Sequence, residues 1–314
     1  MVKVKLIDRD GAEWTPKAIS KLVIEVDENV PADSLYAEFP YMVCPEPVGV
    51  RVFSDDAEVF RGVIDEEEHA ADGSGETLKI SARSMAALLL DNEAAPCGYD
   101  HPSAALMYER YAKPFGLTLS EKDDAVYFGE QSVLKGDSCY SVLKNFCTAC
   151  YSALPRISGT GALSFKGIMK EDETRFGNTK GAVRFLSLSE TRKRCEEISE
   201  VVVKTSSGGG YTLPIMNADA LSRGIARRRY LNATLTQSPM RCADAMIANG
   251  QRKAYSVKLR CPSCLLGHEG NRASVDSDRI AVSGDLYISA LRYRLTAGGE
   301  YTDVTLKRRT NGCG

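Results

Sequence analysis

Between residues 2 and 83 the chain alternates apolar and polar residues again and again, and this pattern of period two limits its fold more than any other feature. VKVKLID (Val2–Asp8) and KLVIEVD (Lys21–Asp27) alternate throughout, so that Leu22, Ile24 and Val26 fall on one face. A strand gathers such residues on one side, whereas a helix would scatter them around its circumference. GVRVFSDDAEVFRGVIDEEEH (Gly49–His69) holds two alternating runs around Ser54-Asp55-Asp56-Ala57, which predicts a hairpin with a polar turn. A glycine-rich turn then leads into a strand over Thr77–Arg83. Several short strands at this spacing predict a small antiparallel barrel or sandwich. SMAALLLDN turns helical in composition, with Ser84 expected to cap the helix through its hydroxyl.

The texture then changes. Pro102 suits a first helical turn, because the N–H it lacks would have had no partner there. Leu106, Tyr108, Tyr111 and Ala112 recur at helical spacing up to Pro114. SCYSVLKNFCTACYSAL (Ser138–Leu154) predicts a second helix, presenting Val142, Leu143, Phe146, Cys147 and Cys150, and PRISGTGALSFKG predicts a hairpin after it. Strands return in GAVRFLSLSETRK and EISEVVVKTS. A helix over Pro239–Gln251 precedes a strand over Ala254–Cys261, and an Ala-Gly-Gly turn joins two long alternating strands at the C-terminal end. The reading is mainly β, then α+β, then β with a small helical insertion.

A length of 314 residues is long for one core and predicts two to four compact units. Forty basic residues against 42 acidic ones leave a formal charge of −2, without the basic excess of a general nucleic-acid binder, so no nucleic-acid readout is expected. No apolar run approaches the ~20 residues that span a bilayer. The charged, alternating N-terminus does not read as a signal peptide, so the ten cysteines are expected to stay reduced.

Two Cys-x-x-Cys pairs, Cys147/Cys150 and Cys261/Cys264, raise the question of zinc, since four thiolates can hold it tetrahedrally. They lie much farther apart than the ligand pairs of a zinc ribbon, and the first sits in an apolar helical run. Core packing is the favoured reading; an oxidisable thiol pair, or a metal site drawing on His268, is the alternative. His69, His101 and His268 are the chain's three histidines, and none lies in a nucleophile motif. The cluster DEEEH (Asp65–His69) reads as a solvated strand edge. SSGGGY lacks the ending of a phosphate-binding loop, and RRRY (Arg227–Tyr230) reads as a solvated or interface-facing charge run. No catalytic, cofactor-binding or metal-ligating residue is assigned. The competing enzymatic reading is a cell-wall polysaccharide hydrolase working through carboxylates such as Asp65 and Glu67.

Gly62-Val63-Ile64-Asp65, Ser81-Ala82-Arg83-Ser84, Leu90-Asp91-Asn92-Glu93-Ala94, Pro114-Phe115-Gly116 and the closing strand pair over Leu286–Arg309 follow one another in a telling order. In this order the chain resembles the baseplate or tail hub proteins of tailed phages, of the Mu type and late control protein D-like, and those of related contractile injection systems. The resemblance implies two small antiparallel tube-like β-barrels with an intervening α+β domain and a small helical insertion. The corresponding boundaries are 1–95 for the first barrel, 96–170 for the α+β domain, 171–215 and 252–314 for the second barrel, and 216–251 for the small inserted α+β domain. It further implies a homotrimeric ring between the tail tube protein and a central spike protein, in contact with other baseplate proteins. Such a protein has no enzymatic activity and no cofactor, is assembled in the bacterial host cytoplasm and resides in the virion. The hub itself is expected to use all 314 residues, leaving no room for a fused peptidoglycan hydrolase. The turn beginning at Leu6, the Ser54–Ala57 tip and the Gly298-Gly299 turn are the expected ring-facing segments. The cysteine content and the Gly208-Gly209-Gly210 loop depart from the family pattern.

Overall fold

The structure, a computed structural model, describes residues 2–40, 46–73, 75–204, 209–232 and 239–309. The first module runs β1 (Val2–Asp8), β2 (Glu13–Trp14), β3 (Lys21–Asp27), β4 (Ser34–Pro40), β5 (Pro47–Ser54), β6 (Ala57–Asp72) and β7 (Gly75–Ser84). All its pairings are antiparallel, and Leu22, Ile24 and Val26 of β3 are buried together as the alternation requires. The β5–β6 hairpin closes through Asp55 and Asp56, whose φ angles of 48° and 68° are those of a primed turn matched to strand twist. The acidic run Asp65–Glu68 is solvated, as expected, but it does not end a strand. Asp65 marks a bulge in the β6–β7 ladder, and β6 continues to Asp72. Pairing with β5 stops at Val63, so beyond that point β6 is an edge held on one side by β7, whose own far side is paired with β4 as far as Thr77.

The helical module follows: α1 (Ala87–Asp91), β8 (Cys97–Asp100), α2 (Ala104–Tyr111), β9 (Thr118–Leu119), β10 (Glu130–Val133), α3 (Cys139–Tyr151), β11 (Arg156–Ile157) and β12 (Ala162–Ser164). Ser84 does not cap α1. It remains buried in β7, where its hydroxyl accepts the Asp33 N–H at 3.0 Å, and Ala86 takes the cap position without a side-chain bond. Pro102 precedes α2 rather than entering it, because Ser103 accepts the Leu106 N–H at 3.2 Å and is the cap. Leu106 consequently faces outward while Ala104, Met107 and Tyr111 are buried. On α3, capped by Ser138, Val142, Leu143, Phe146 and Cys147 are buried, and Phe146 meets Phe165 edge to face at 5.7 Å. These residues form a second core with Leu89, Met107, Leu117 and Leu163.

The remaining elements are β13 (Glu173–Phe176), β14 (Ser187–Arg192), β15 (Glu200–Lys204), β16 (Leu213–Met216), α4 (Ala218–Ser222), β17 (Arg228–Asn232), α5 (Pro239–Ala254), β18 (Tyr255–Cys261), β19 (Arg272–Val275), β20 (Leu286–Thr296) and β21 (Gly299–Arg308). The C-terminal strands join the N-terminal ones directly. β20 pairs antiparallel with β3, setting Tyr293 opposite Ile24 and Leu291 opposite Val26. One sheet of 13 strands results, in the order β14-β18-β21-β20-β3-β4-β7-β6-β5-β1-β2, with β19 on β20 and β13 on β19. A single core gathers Val4, Leu6 and Phe60 with Val257, Leu259, Val304 and Leu306.

The fold is thus mainly β with several sheets and five helices among the described residues, but no ring of strands closes into a barrel. The facing edges of β3 and β20, which two separate barrels would each use internally, hydrogen-bond to one another. The expected span 171–215 for the second barrel includes β15 and β16, yet these pair with β17 in a separate three-stranded sheet. Helix α5 covers that sheet, burying Val201, Val203, Ile198 and Ala243 with Met246 and Ile247 packed against them.

Candidate functional site

Three of the short motifs that mark the chain, Gly62–Asp65, Ser81–Ser84 and Leu90–Ala94, meet at one place, the junction between the large sheet and the helical module. Gly62 crosses β7 so closely that a Cβ there would lie 2.3 Å from the Arg83 carbonyl oxygen, so the position admits only glycine. Three residues later the bulge turns Asp65 toward Arg83. The guanidinium grips it in a fork, Nε to Oδ2 at 2.7 Å and Nη2 to Oδ1 at 2.8 Å. The same guanidinium reaches Asp91 at the end of α1, with bonds of 3.1 and 2.7 Å, and its hydrogen bonds hold that carboxyl below its ordinary value. Asn92 donates its side-chain amide to the Leu88 carbonyl at 2.7 Å, and its own carbonyl accepts the Cys139 N–H at the head of α3. Glu93 accepts the Gly136 N–H at 2.7 Å.

Behind this surface cluster lies a buried one. Asp33, 1% exposed, exchanges backbone and hydroxyl bonds with Ser84 and receives both prongs of Arg156, at 2.5 and 2.7 Å. Arg156 also donates to the Val30 carbonyl at 3.2 Å. Burial pushes the Asp33 carboxyl up to about 6 against the pull of Arg156. Gly159, in the turn after β11, comes so close to β6 that a Cβ would lie 2.6 Å from the Val59 carbonyl oxygen, and the Arg61 N–H donates to the Gly159 carbonyl at 2.7 Å. Together these contacts fasten the β11–β12 hairpin and α1 to the first sheet. Asp65, proposed for acid–base chemistry in the hydrolase alternative, has both oxygens engaged by Arg83, while Glu67 lies exposed on β6 beyond its pairing with β5; nothing here shows catalytic activity.

The two Cys-x-x-Cys pairs belong to different cores. Cys147 and Cys150 are in the helical module, and Cys261 and Cys264 are at the large sheet. Burial pushes Cys150 up to about 11 and Cys261 up to about 12, and raises Cys147 and Cys264 as well, which disfavours the thiolate form. The Cys261–Cys264 loop is tied down by Thr302, whose hydroxyl donates to the Ser263 carbonyl at 2.6 Å and accepts the Leu265 N–H at 3.3 Å. His268 is half-buried and bonded to the Thr174 hydroxyl at 3.0 Å; His69 lies in β6 and His101 precedes α2, so the structure places the three histidines on separate elements. Among the described residues no three His, Cys, Asp or Glu side chains group as a metal site would require.

The charged runs are largely spoken for within the chain. Arg228 pairs with Glu200 at 2.6 Å, and Arg227 donates to the Arg194 carbonyl at 2.7 Å. Thr205–Gly208 lie outside the described residues, so the triglycine loop enters only from Gly209. Lys5, Glu13, Arg51, Glu58 and Arg61 form a ladder across β1, β2, β5 and β6, with contacts of 2.6 to 2.9 Å. Burial pushes Glu58 up, but hydrogen bonds from Arg61 and Arg51 outweigh it and hold the carboxyl at about 2. All three segments expected to face a ring are tight turns of the large sheet. At the first, Asp8 accepts the Asp10 and Ala12 N–H groups at 2.9 and 2.8 Å and the Trp14 indole at 2.8 Å; at the second, Lys3 pairs with Asp56 at 2.7 Å; the third turns through Gly299 at φ 112°.

The large sheet ends in open edges. β14 pairs only with β18, and Leu186 just before it is 68% exposed. At the other end β2 covers β1 only at Leu6 and Ile7, leaving Val2–Lys5 unpaired on that side among the described residues. Unpaired edges of this length invite a further strand.

Neither the protein-family models nor the sequences of curated proteins give a match. Solved structures do. A tail protein of Neisseria meningitidis superposes with a TM-score of 0.75 at 16% identity, covering 98% of this chain and 96% of that one. The 43 kDa tail protein of prophage MuSo2 from Shewanella oneidensis gives 0.77 at 14% identity over 98% of each chain. An Escherichia coli component of the type VI secretion system, itself described as structurally similar to the phage T4 tail proteins gp27 and gp5, gives 0.57 at 12% identity over 100% and 78%. The fold is therefore shared with phage tail proteins and with a type VI secretion system component. Sequence reasoning had the motifs but not their meeting point: nothing local in the sequence says that Arg83 joins Asp65 to Asp91, or that Arg156 reaches Asp33.

Proposed function

We propose that the protein is a structural hub in the tail or baseplate of a tailed phage or phage-like particle, forming a trimeric ring that joins the tail tube to a central spike. The observation that carries the reading is the likeness of fold over 98% of the chain to phage tail proteins of nearly equal extent, continued in a type VI secretion component. The two open edges of the large sheet support it, since association of copies would remove those strand edges from water. Within this reading the N-terminal strands, at about 1–95, and the later strands of the large sheet, β13, β14 and β18 to β21, each supply one tube-like unit. Residues 96–170 buttress them, and the unit around 216–251 stands apart. Three chains would then present six such units to a sixfold tube. The protein would be assembled in the host cytoplasm, reside in the virion, act without catalysis or cofactor, and bind the tube protein, the spike protein and other baseplate proteins.

Gold-labelled antibody against this chain should mark the head-distal end of purified tails in electron micrographs. Label along the whole tube, on the head, or absent from particles that contain all other tail proteins contradicts the proposal.

A further inference from the structure

Between the large sheet and the α5-covered unit lies an open cleft of about 450 Å³ into which five arginines converge, Arg192, Arg194, Arg223, Arg308 and Arg309. They come from the end of β14, the 3-10 turn after it (Arg194–Glu196), the end of α4 and the end of β21, so that only the folded chain assembles them. Two acids share the lining, Glu197 and Asp219, and both are held by the single Arg223, with hydrogen bonds of 2.8 Å to each. Arg192 pairs with Glu190 at 2.9 Å and Arg309 with Glu171 at 2.5 Å. Arg194 and Arg308 have no carboxylate within ion-pair distance among the described residues. Arg308 instead lies over the Tyr255 ring at 4.5 Å, and its Nε, like Arg309 Nη1, is buried without a hydrogen-bond partner. A buried guanidinium N–H without an acceptor is costly, and an anion is the group that would relieve it.

We propose that this cleft binds an extended acidic segment of a partner protein, carrying two or more closely spaced Asp or Glu side chains. Three features favour such a segment over a lone oxyanion or a polyphosphate. The cleft far exceeds the size of one oxyanion. The unpaired edge of β14 runs into it at Arg192, supplying backbone donors and acceptors beside which an incoming chain can add as a strand. Glu197 and Asp219 on one wall oppose a densely charged polyphosphate while leaving room for separated carboxylates. A segment so placed touches both the large sheet and the small unit, and fixes one against the other. The inference stands on the cleft and does not depend on a ring.

The test is fluorescence anisotropy on the full chain with a fluorescein-labelled octapeptide alternating Val and Glu, its Val-Lys counterpart as control, and inorganic phosphate as competitor. Saturable binding of the Val-Glu peptide that weakens with salt is expected, with none for Val-Lys. Arg194→Gln with Arg308→Gln should raise Kd about tenfold or more, and Arg194→Glu alone, in an exposed turn that should leave the fold intact, about fivefold. Absence of saturable Val-Glu binding, equal binding of Val-Lys, affinity unchanged in Arg194→Glu, or displacement of the peptide by an equal concentration of phosphate each overturns the proposal.

Discussion

Arg83 holds Asp65 in a two-pronged ion pair, at 2.7 and 2.8 Å, and with the same guanidinium holds Asp91. The three motif segments are thereby a single joint between strand, strand and helix. Arg83→Ala should lower stability by about 1–2 kcal/mol in denaturant unfolding, since charge-assisted forks at half-exposed positions contribute more than ordinary surface pairs. Lysine should not restore it, because a point charge cannot form the fork. Equal stability of Arg83→Lys and the unaltered chain contradicts this assignment.

Gly62 is required by contact, not by conformation. Its missing Cβ leaves room for the Arg83 carbonyl, 2.3 Å from where that atom would stand. Gly62→Ala should therefore cost about 2–3 kcal/mol or more, as overpacking against backbone does, while Gly11→Asn in an open left-handed turn should cost little. Comparable melting temperatures for the two variants would show that β6 and β7 can part without penalty.

Arg156→Ala strands the buried Asp33 charge and should destabilise by about 3–5 kcal/mol at neutral pH. The effect should depend on pH in a definite sense. With its carboxyl raised to about 6, folded Asp33 holds a proton that the unfolded chain releases nearer 4, so stability from this group is greatest below about 4 and declines up to about 6. Losing Arg156 raises that carboxyl further. The stability difference between Arg156→Ala and the parent should be larger at pH 8 than at pH 5; a difference that grows toward acid contradicts the burial argument.

Glu58 has the opposite sign. Held at about 2 by Arg61 and Arg51 against burial, it contributes stability above its ordinary value near 4.5 that is lost as pH falls toward 2. Glu58→Gln should be less stable than the parent at pH 7 and converge with it at pH 2–3. Parallel unfolding curves over that window would remove Glu58 from the account.

Where structure follows local pattern, the sequence was legible. β1 and β3 span the residues that alternation assigns them, and the hairpins at Asp55-Asp56 and at Ala297-Gly298 close where turn chemistry places them. Helix α5 begins at Pro239. The misreadings are about competition between partners. Ser84 could have capped α1 but bonds to Asp33, a residue 51 positions away, and Ser103 displaces Pro102 from the helix. Pairing of β3 with β20 from opposite ends of the chain has no local signature, which is why two closed barrels were expected where one open sheet stands. The arginine cleft was invisible for the same reason, its members being scattered from Arg192 to Arg309.

The central claim is a threefold assembly, and the mass of the native particle in solution tests it most directly. Sedimentation velocity across a range of protein concentration and salt should reveal a species of three times the chain mass, becoming dominant as concentration rises. A protein that sediments as a monomer under every condition, including in the presence of purified tail tubes, contradicts the account.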